Sequence, residues 1–291
     1  MARRAPAVER SVAILNLLAE DPDRRWTLSE IARDLRLNKA TLHAILFALN
    51  EAGYLTRDAG EKTYGLGPAL IALGNSALAA SPAAHTALPE MQALTDELGV
   101  ECVASAAIHD EIVILVRAGT PRPFGVFVEP GQRLPLAPPL GSVFVAWSDD
   151  DTVLRWLRRA AVPKVVQKRY REAIDVVRQR GYSVGLEGER FARALGGRPR
   201  DARSMLERNV RGIRIEEYAL LDLDPEASYR VNHIGAPVFG PDEQVALALF
   251  LIGFAGQLPG AAVEAIAARL LEVAGRISLA IRGRSPQQVR A

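Results

Sequence analysis

One cysteine, four histidines and a net charge of only +2 are what a chain of 291 residues is left with here. A single thiol, Cys102, cannot close an internal disulfide and cannot build a thiolate metal centre, which needs several sulfur ligands. Lys plus Arg number 36 against 34 Asp plus Glu, so bulk charge gives no argument for nucleic acid; such a partner must be argued from local geometry. No apolar run approaches the ~18–20 residues of a bilayer-spanning helix. Met1–Arg10 carries charges with no apolar core and small-residue cleavage site behind it. These absences predict a soluble, cytoplasmic protein with no membrane partner.

Catalytic patterns are missing too. His109-Asp110-Glu111 falls at a turn with no converging metal ligands elsewhere. Gly74-Asn75-Ser76 lacks the second glycine of a nucleophile elbow. No Walker or Rossmann glycine pattern occurs in a strand–helix context. Cys102 lies in an apolar strand and reads as inert core. The expectation is a protein that is not an enzyme and carries no metal or cofactor.

What is present is size and pattern. Apolar residues make up 49% of the chain, enough for two domains with cores of their own. Helical spacing runs from about Val8 to Glu20 and stops at Asp21-Pro22-Asp23. Thr27-Leu28-Ser29-Glu30 has the form of a capping box, opening a short helix that buries Leu28, Ile31, Ala32 and Leu35. Arg36-Leu37 turns into a third helix from about Asn38 to Glu51, with the stripe Leu42, Ile45, Leu46, Leu49 and Gly53 as its stop. Residues 54–57 and 62–66 are β-prone runs around a Gly-containing turn, the signature of a hairpin. Three helices closed by a hairpin outline a winged helix-turn-helix over 1–67. A linker helix is expected over 68–82. Residues 83–291 mix strands and helices without strict alternation, with strands near Val100–Ala107, Ile112–Arg117, Val231–Val238 and Val245–Phe254. The whole reads as α+β.

In such a unit the third helix would lie in the major groove. Its first turns carry Asn38, Lys39, Thr41 and His43, all able to hydrogen-bond base edges or phosphates, and its N-terminus directs backbone N–H groups at phosphate. Thr27 and Ser29 at the start of the second helix, and Arg57 and Lys62 at the wing, complete the candidate DNA contacts. The alternative is a solvated polar face on a winged helix that serves protein contacts or has lost specific DNA binding.

The stretches Thr27-Leu-Ser-Glu-Ile-Ala-Arg-Asp-Leu, Asn38-Lys-Ala-Thr-Leu-His, Glu51-Ala-Gly-Tyr-Leu-Thr-Arg-Asp and Tyr64-Gly-Leu-Gly-Pro closely resemble the IclR family of transcription regulators, over about residues 8–75. A weaker likeness continues in Leu88-Pro-Glu-Met-Gln-Ala-Leu, Gly131-Gln-Arg-Leu-Pro-Leu, Gly181-Tyr-Ser-Val and Gly235-Ala-Pro-Val. The resemblance implies a GAF-like effector-binding domain after the linker. It also implies a homodimer or dimer of dimers, a pseudo-palindromic double-stranded DNA operator, and a small-molecule effector that changes operator affinity. Where the family usually has Ser and Arg in the recognition helix, this chain has Ala40 and Ala44, which implies a different operator or a larger share of binding for the wing.

The family's small-acid sensors hold their ligand with a Cys, two Ser and an Asp. By the resemblance these positions fall at His233, at Phe250 and Ile252, and at Gly185. The loop around Leu134–Ser142 is apolar as well. Burying a carboxylate among such residues would cost several kcal/mol, whereas apolar surface gains roughly 25 cal/mol per Å² on burial. The expected effector is therefore hydrophobic and larger than glyoxylate or pyruvate: an aromatic, terpenoid, steroid or acyl compound. Leu136, Leu140, Gly141, Val143, Phe144, Trp147, Phe250 and Ile252 would surround it, and Asn232 or His233 would hold one polar group. The alternative is that these residues are plain core. A basic insert at about 188–228, with Arg190, Arg193, Arg198, Arg200, Arg203, Arg208, Arg211 and Arg214, reads as a lid, an extra contact or a solvated excursion.

Overall fold

The computed structural model describes residues 5–121, 128–160, 164–188 and 215–286. The arginines of the basic insert from Arg190 to Arg214 lie outside them. Chain contacts divide the molecule into Met1–Ala80 and Ser81–Ala291.

The first unit opens with α1 (Pro6–Ala19), β1 (Trp26–Thr27), α2 (Leu28–Asp34) and α3 (Lys39–Glu51), followed by β2 (Leu55–Asp58), β3 (Thr63–Leu66) and α4 (Ala69–Ala79). Local chemistry sets these limits. Thr27 accepts from the Glu30 N–H while the Glu30 carboxylate takes the Thr27 N–H, so both partners of the capping box are present. Asn38 caps α3 by accepting from Thr41 N at 2.8 Å. Ile14, Leu18, Trp26, Ile31, Leu42, Leu46, Leu49, Leu55 and Tyr64 form one core. The wing is a three-stranded sheet in the order β1-β3-β2. Its two-residue strand β1 had no counterpart in the sequence reading, because two residues display no period. α4 occupies the place expected of the linker helix and buries none of its residues.

The second unit begins with α5 (Pro82–Leu98). The sequence reading had placed no helix here: Ala84, Ala87, Met91 and Leu94 are a buried helical stripe that runs past Pro89. There follow β4 (Glu101–Ile108), β5 (Glu111–Ala118), β6 (Arg133–Pro135), α6 (Ser142–Val145), α7 (Asp150–Arg159), α8 (Lys164–Arg180) and β7 (Ser183–Leu186). After the undescribed stretch come α9 (Ile215–Tyr218), β8 (Ser228–Tyr229), β9 (Val231–Phe239), β10 (Val245–Ile252), β11 (Leu258–Pro259) and α10 (Gly260–Ala280). Six strands make one antiparallel sheet, β6-β5-β4-β10-β9-β7. One face packs on α5 and α10. The other faces α6, α7 and α8 across a core that includes Val143, Phe144, Trp156, Leu157 and Ile174. Because side chains alternate along each strand, Cys102 and Ala104 turn to one face while Val103 and Ser105 turn to the other.

Candidate nucleic-acid interface and ligand cavity

In the first unit the leucine stripe of α3 is buried, and Asn38, Lys39, Ala40, His43 and Ala44 are exposed on the turns around its start. Thr41 is half-buried. Ser29 is exposed near the start of α2, but the Thr27 hydroxyl is engaged with Glu30 at 2.8 Å. Arg57 lies on β2 with its guanidinium 5.9 Å from the Tyr64 ring, and Lys62 is exposed in the hairpin turn. Arg25 was not singled out from the sequence; it bonds Thr56 Oγ1 at 2.9 Å and so fastens the segment before β1 to the wing. Phe47 is also exposed on α3, at 62%.

In the second unit a cavity of about 80 Å³ lies between the sheet and the start of α6. Seven of the ten predicted effector residues line it: Leu140, Gly141, Val143, Asn232, His233, Phe250 and Ile252. The other three are placed elsewhere. Leu136 and Phe144 are buried in the core beneath, and Trp147 packs edge-on against Phe239 at 5.2 Å. The cavity also takes Val103, Ser105, Ile114, Ser183 and Tyr218, which the sequence reading passed over. Ser105 and Ser183 did carry a signal, each being a hydroxyl inside an apolar strand.

Register explains the polar end. Ser183, Gly235, Phe250 and Val103 lie in one row across β7, β9, β10 and β4. Gly185, His233 and Ile252 lie in the next. In each row an aromatic ring lies over a glycine of the neighbouring strand. A Cβ on Gly235 would stand 2.4 Å from Phe250, and one on Gly185 would stand 2.1 Å from His233. The His233 ring sits 5.4 Å from Phe250 and 5.5 Å from Tyr218. Its Nδ1 is 3.1 Å from Asn232 Oδ1. Burial, helped by the charge of Arg180, pushes its pKa down to about 4, so the ring is neutral at physiological pH.

Two further polar groups border this end. Ser105 Oγ is buried with no hydrogen-bond partner among the described residues. Arg180 donates to the Tyr182 carbonyl at 2.6 Å and the Leu220 carbonyl at 3.0 Å, and burial lowers its pKa to about 10. It borders a second pocket of only about 10 Å³, which shares Ser142, Ser183, Tyr218 and His233 with the first. Burial raises the pKa of Cys102 to about 12, so its thiol is not a nucleophile at neutral pH. Among the described residues no His, Cys, Asp or Glu cluster could hold a metal, and no helix is long and apolar enough to cross a membrane.

Residues 7–59 match the IclR helix-turn-helix domain. The chain is 32% identical to the glycerol operon regulatory protein of Streptomyces coelicolor over 193 residues, 64% of this chain and 75% of that protein. It is 28% identical to the Pca regulon regulatory protein of Pseudomonas putida over 156 residues, 53% of each. Its fold is similar to the crystal structure of an IclR transcriptional regulator from Alicyclobacillus acidocaldarius, with TM-score 0.73 and 24% identity over 96% of this chain and 100% of that one. It is also similar to an IclR homolog from Microbacterium hydrocarbonoxydans complexed with 4-hydroxybenzoate, with TM-score 0.64 and 19% identity over 95% and 99% of the two chains.

Proposed function

The chain belongs to the IclR family of transcription regulators, and on that premise we propose that it is a cytoplasmic repressor, without enzymatic activity, released or tightened on DNA by a small apolar effector. It works as a homodimer or dimer of dimers on a pseudo-palindromic operator. The observation that carries this reading is the division of α3, whose leucines are buried while Asn38, Lys39 and His43 stand exposed at its N-terminal end. An exposed polar helix start is what major-groove docking needs. Arg57 and Lys62 supply phosphate contacts from the wing, Thr41 adds a hydroxyl on the first turn of α3, and Ser29 adds one at the start of α2.

The cavity supplies the effector site. At about 80 Å³ it is near half the ~150 Å³ of an engineered cavity that binds benzene. By that measure a single ring or a short acyl group is the largest ligand the site takes, and only with some yielding of its walls, whereas a steroid or terpenoid would require the walls to move far apart. The 4-hydroxybenzoate in one structural relative is a ligand with one ring.

Fluorescence anisotropy with a duplex from upstream of the protein's own gene tests the reading. Specific binding should exceed random-sequence binding by about 10³-fold or more and weaken steeply with salt as phosphate contacts release counterions. A second reading draws on Ala40 and Ala44, exposed on α3 without any hydrogen-bonding group: a ligand-binding or protein-interaction module that has lost specific DNA binding. Equal affinity for the upstream and random duplexes would select it.

A further inference from the structure

Taking the cavity as the effector site, we infer that its ligand is an uncharged single-ring compound anchored by a hydrogen-bond donor, a phenol or aromatic alcohol whose hydroxyl donates to Nε2 of His233.

Asn232 sets the polarity of the ring. Its Oδ1 lies 3.1 Å from His233 Nδ1 and can only accept, so with the amide oxygen on that side the pairing selects the tautomer that carries the ring proton on Nδ1. A neutral imidazole with Nδ1 protonated presents a bare lone pair at Nε2. Among the described residues Nε2 has no hydrogen-bond partner. The ring is also held in place. It lies over Gly185, where a Cβ would stand 2.1 Å from Cε1, and it is flanked by Tyr218 and Phe250. Turning it over to offer Nδ1 would break the Asn232 bond.

A lone pair at Nε2 repels a carboxylate, so an acid would have to turn to the neutral hydroxyls of Ser105 and Ser183 or to a cation. Arg180 is the cation beside His233. Its Nε and Nη1 already bond the Tyr182 and Leu220 carbonyls, and the pocket it borders, about 10 Å³, has room for about one water. A carboxylate does not fit there. Val103, Ile114, Phe250 and Ile252 offer the rest of the ligand only apolar contact, with the Phe250 ring available for edge-to-face packing. Ser105 Oγ, buried on the same wall and unpartnered among the described residues, can meet a second polar atom of the ligand.

The experiment is calorimetric titration of the full-length protein with three probes of similar size: phenol, anisole and benzoate. Phenol should bind about 10-fold or more tighter than either of the others, since anisole lacks the donor and benzoate the complementarity. His233→Phe keeps a ring over Gly185 and removes the acceptor, so phenol and anisole should then bind within about 2-fold of each other. Its melting temperature reports whether it has folded, and the wild-type ratio stands without it. Benzoate tighter than phenol, or anisole equal to phenol on the wild type, overturns the donor rule while leaving the cavity as the effector site. Val103→Phe, which narrows the cavity from β4, should abolish phenol binding. Unchanged binding in that variant, or no binding of any probe to the wild type, overturns the cavity reading and the donor rule together.

Discussion

In the N-terminal unit the polar groups proposed to act, Asn38, Lys39 and His43, are exposed on neighbouring turns of one helix. In the C-terminal unit Ser105, Asn232 and His233 are buried on strands far apart in sequence. The two places obey different rules of substitution. An exposed side chain on α3 can change with little effect on stability, since surface changes away from special features fall within about 0.5 kcal/mol; Ala40 and Ala44 are therefore compatible with an intact helix. In the cavity each wall residue presupposes another. His233 needs the bare backbone of Gly185, and Phe250 that of Gly235. Specificity on DNA is thus a matter of one surface, and specificity for the ligand is a matter of matched pairs.

The comparison is broken most directly by damaging one unit and reading the other. Leu42→Ala removes a fully buried side chain of the first core and should destabilise that unit by about 3 kcal/mol. In urea unfolding followed by two probes, DNA binding should be lost at lower denaturant while calorimetric phenol affinity stays as in the wild type. Loss of both together would mean that the units do not fold separately.

Acid should strike the second unit next hardest. His233 has a folded-state pKa of about 4, below the ~6.5 of an unfolded histidine. The unfolded chain therefore binds the extra proton between these values, and stability falls as pH drops from about 6.5 toward 4. Above about pH 6.5 the contribution of the neutral ring is fully present. The loss should be about 2–3 kcal/mol in the free energy of urea unfolding of the second unit and absent from His233→Phe. An identical acid profile in the two proteins would show that the ring does not titrate in this way.

The smallest effect sharpens the other side. Lys39→Ala should weaken operator binding several-fold and lower the slope of log affinity against log salt by about 1, with no change in melting temperature beyond a degree or two. An unchanged salt slope would place Lys39 away from phosphate.

Legibility in the sequence followed how local each feature is. The capping box at Thr27 and Glu30, the leucine stripe of α3 and the Gly53 stop depend on residues within a turn or two, and each has its expected counterpart. β1 was too short to show a period, and Pro89 obscured a helix that its buried stripe maintains. The cavity was legible only where apolar loop and strand residues cluster in sequence, as at Leu140, Gly141 and Val143. Next to them Phe144 belongs to the core instead, because adjacent residues of a helix face different ways. Tyr218 follows the insert and could be placed beside His233 only by the fold.

By itself, then, the sequence determined a winged helix-turn-helix with an exposed polar helix start and an α+β partner, because helical period, caps and turns are set by near neighbours. Tertiary structure alone decided which apolar residues border a void and which fill it, and that His233 is buried beside Asn232 at the cavity wall. Those properties arise from strand register and from contacts between residues distant along the chain, which no local pattern encodes.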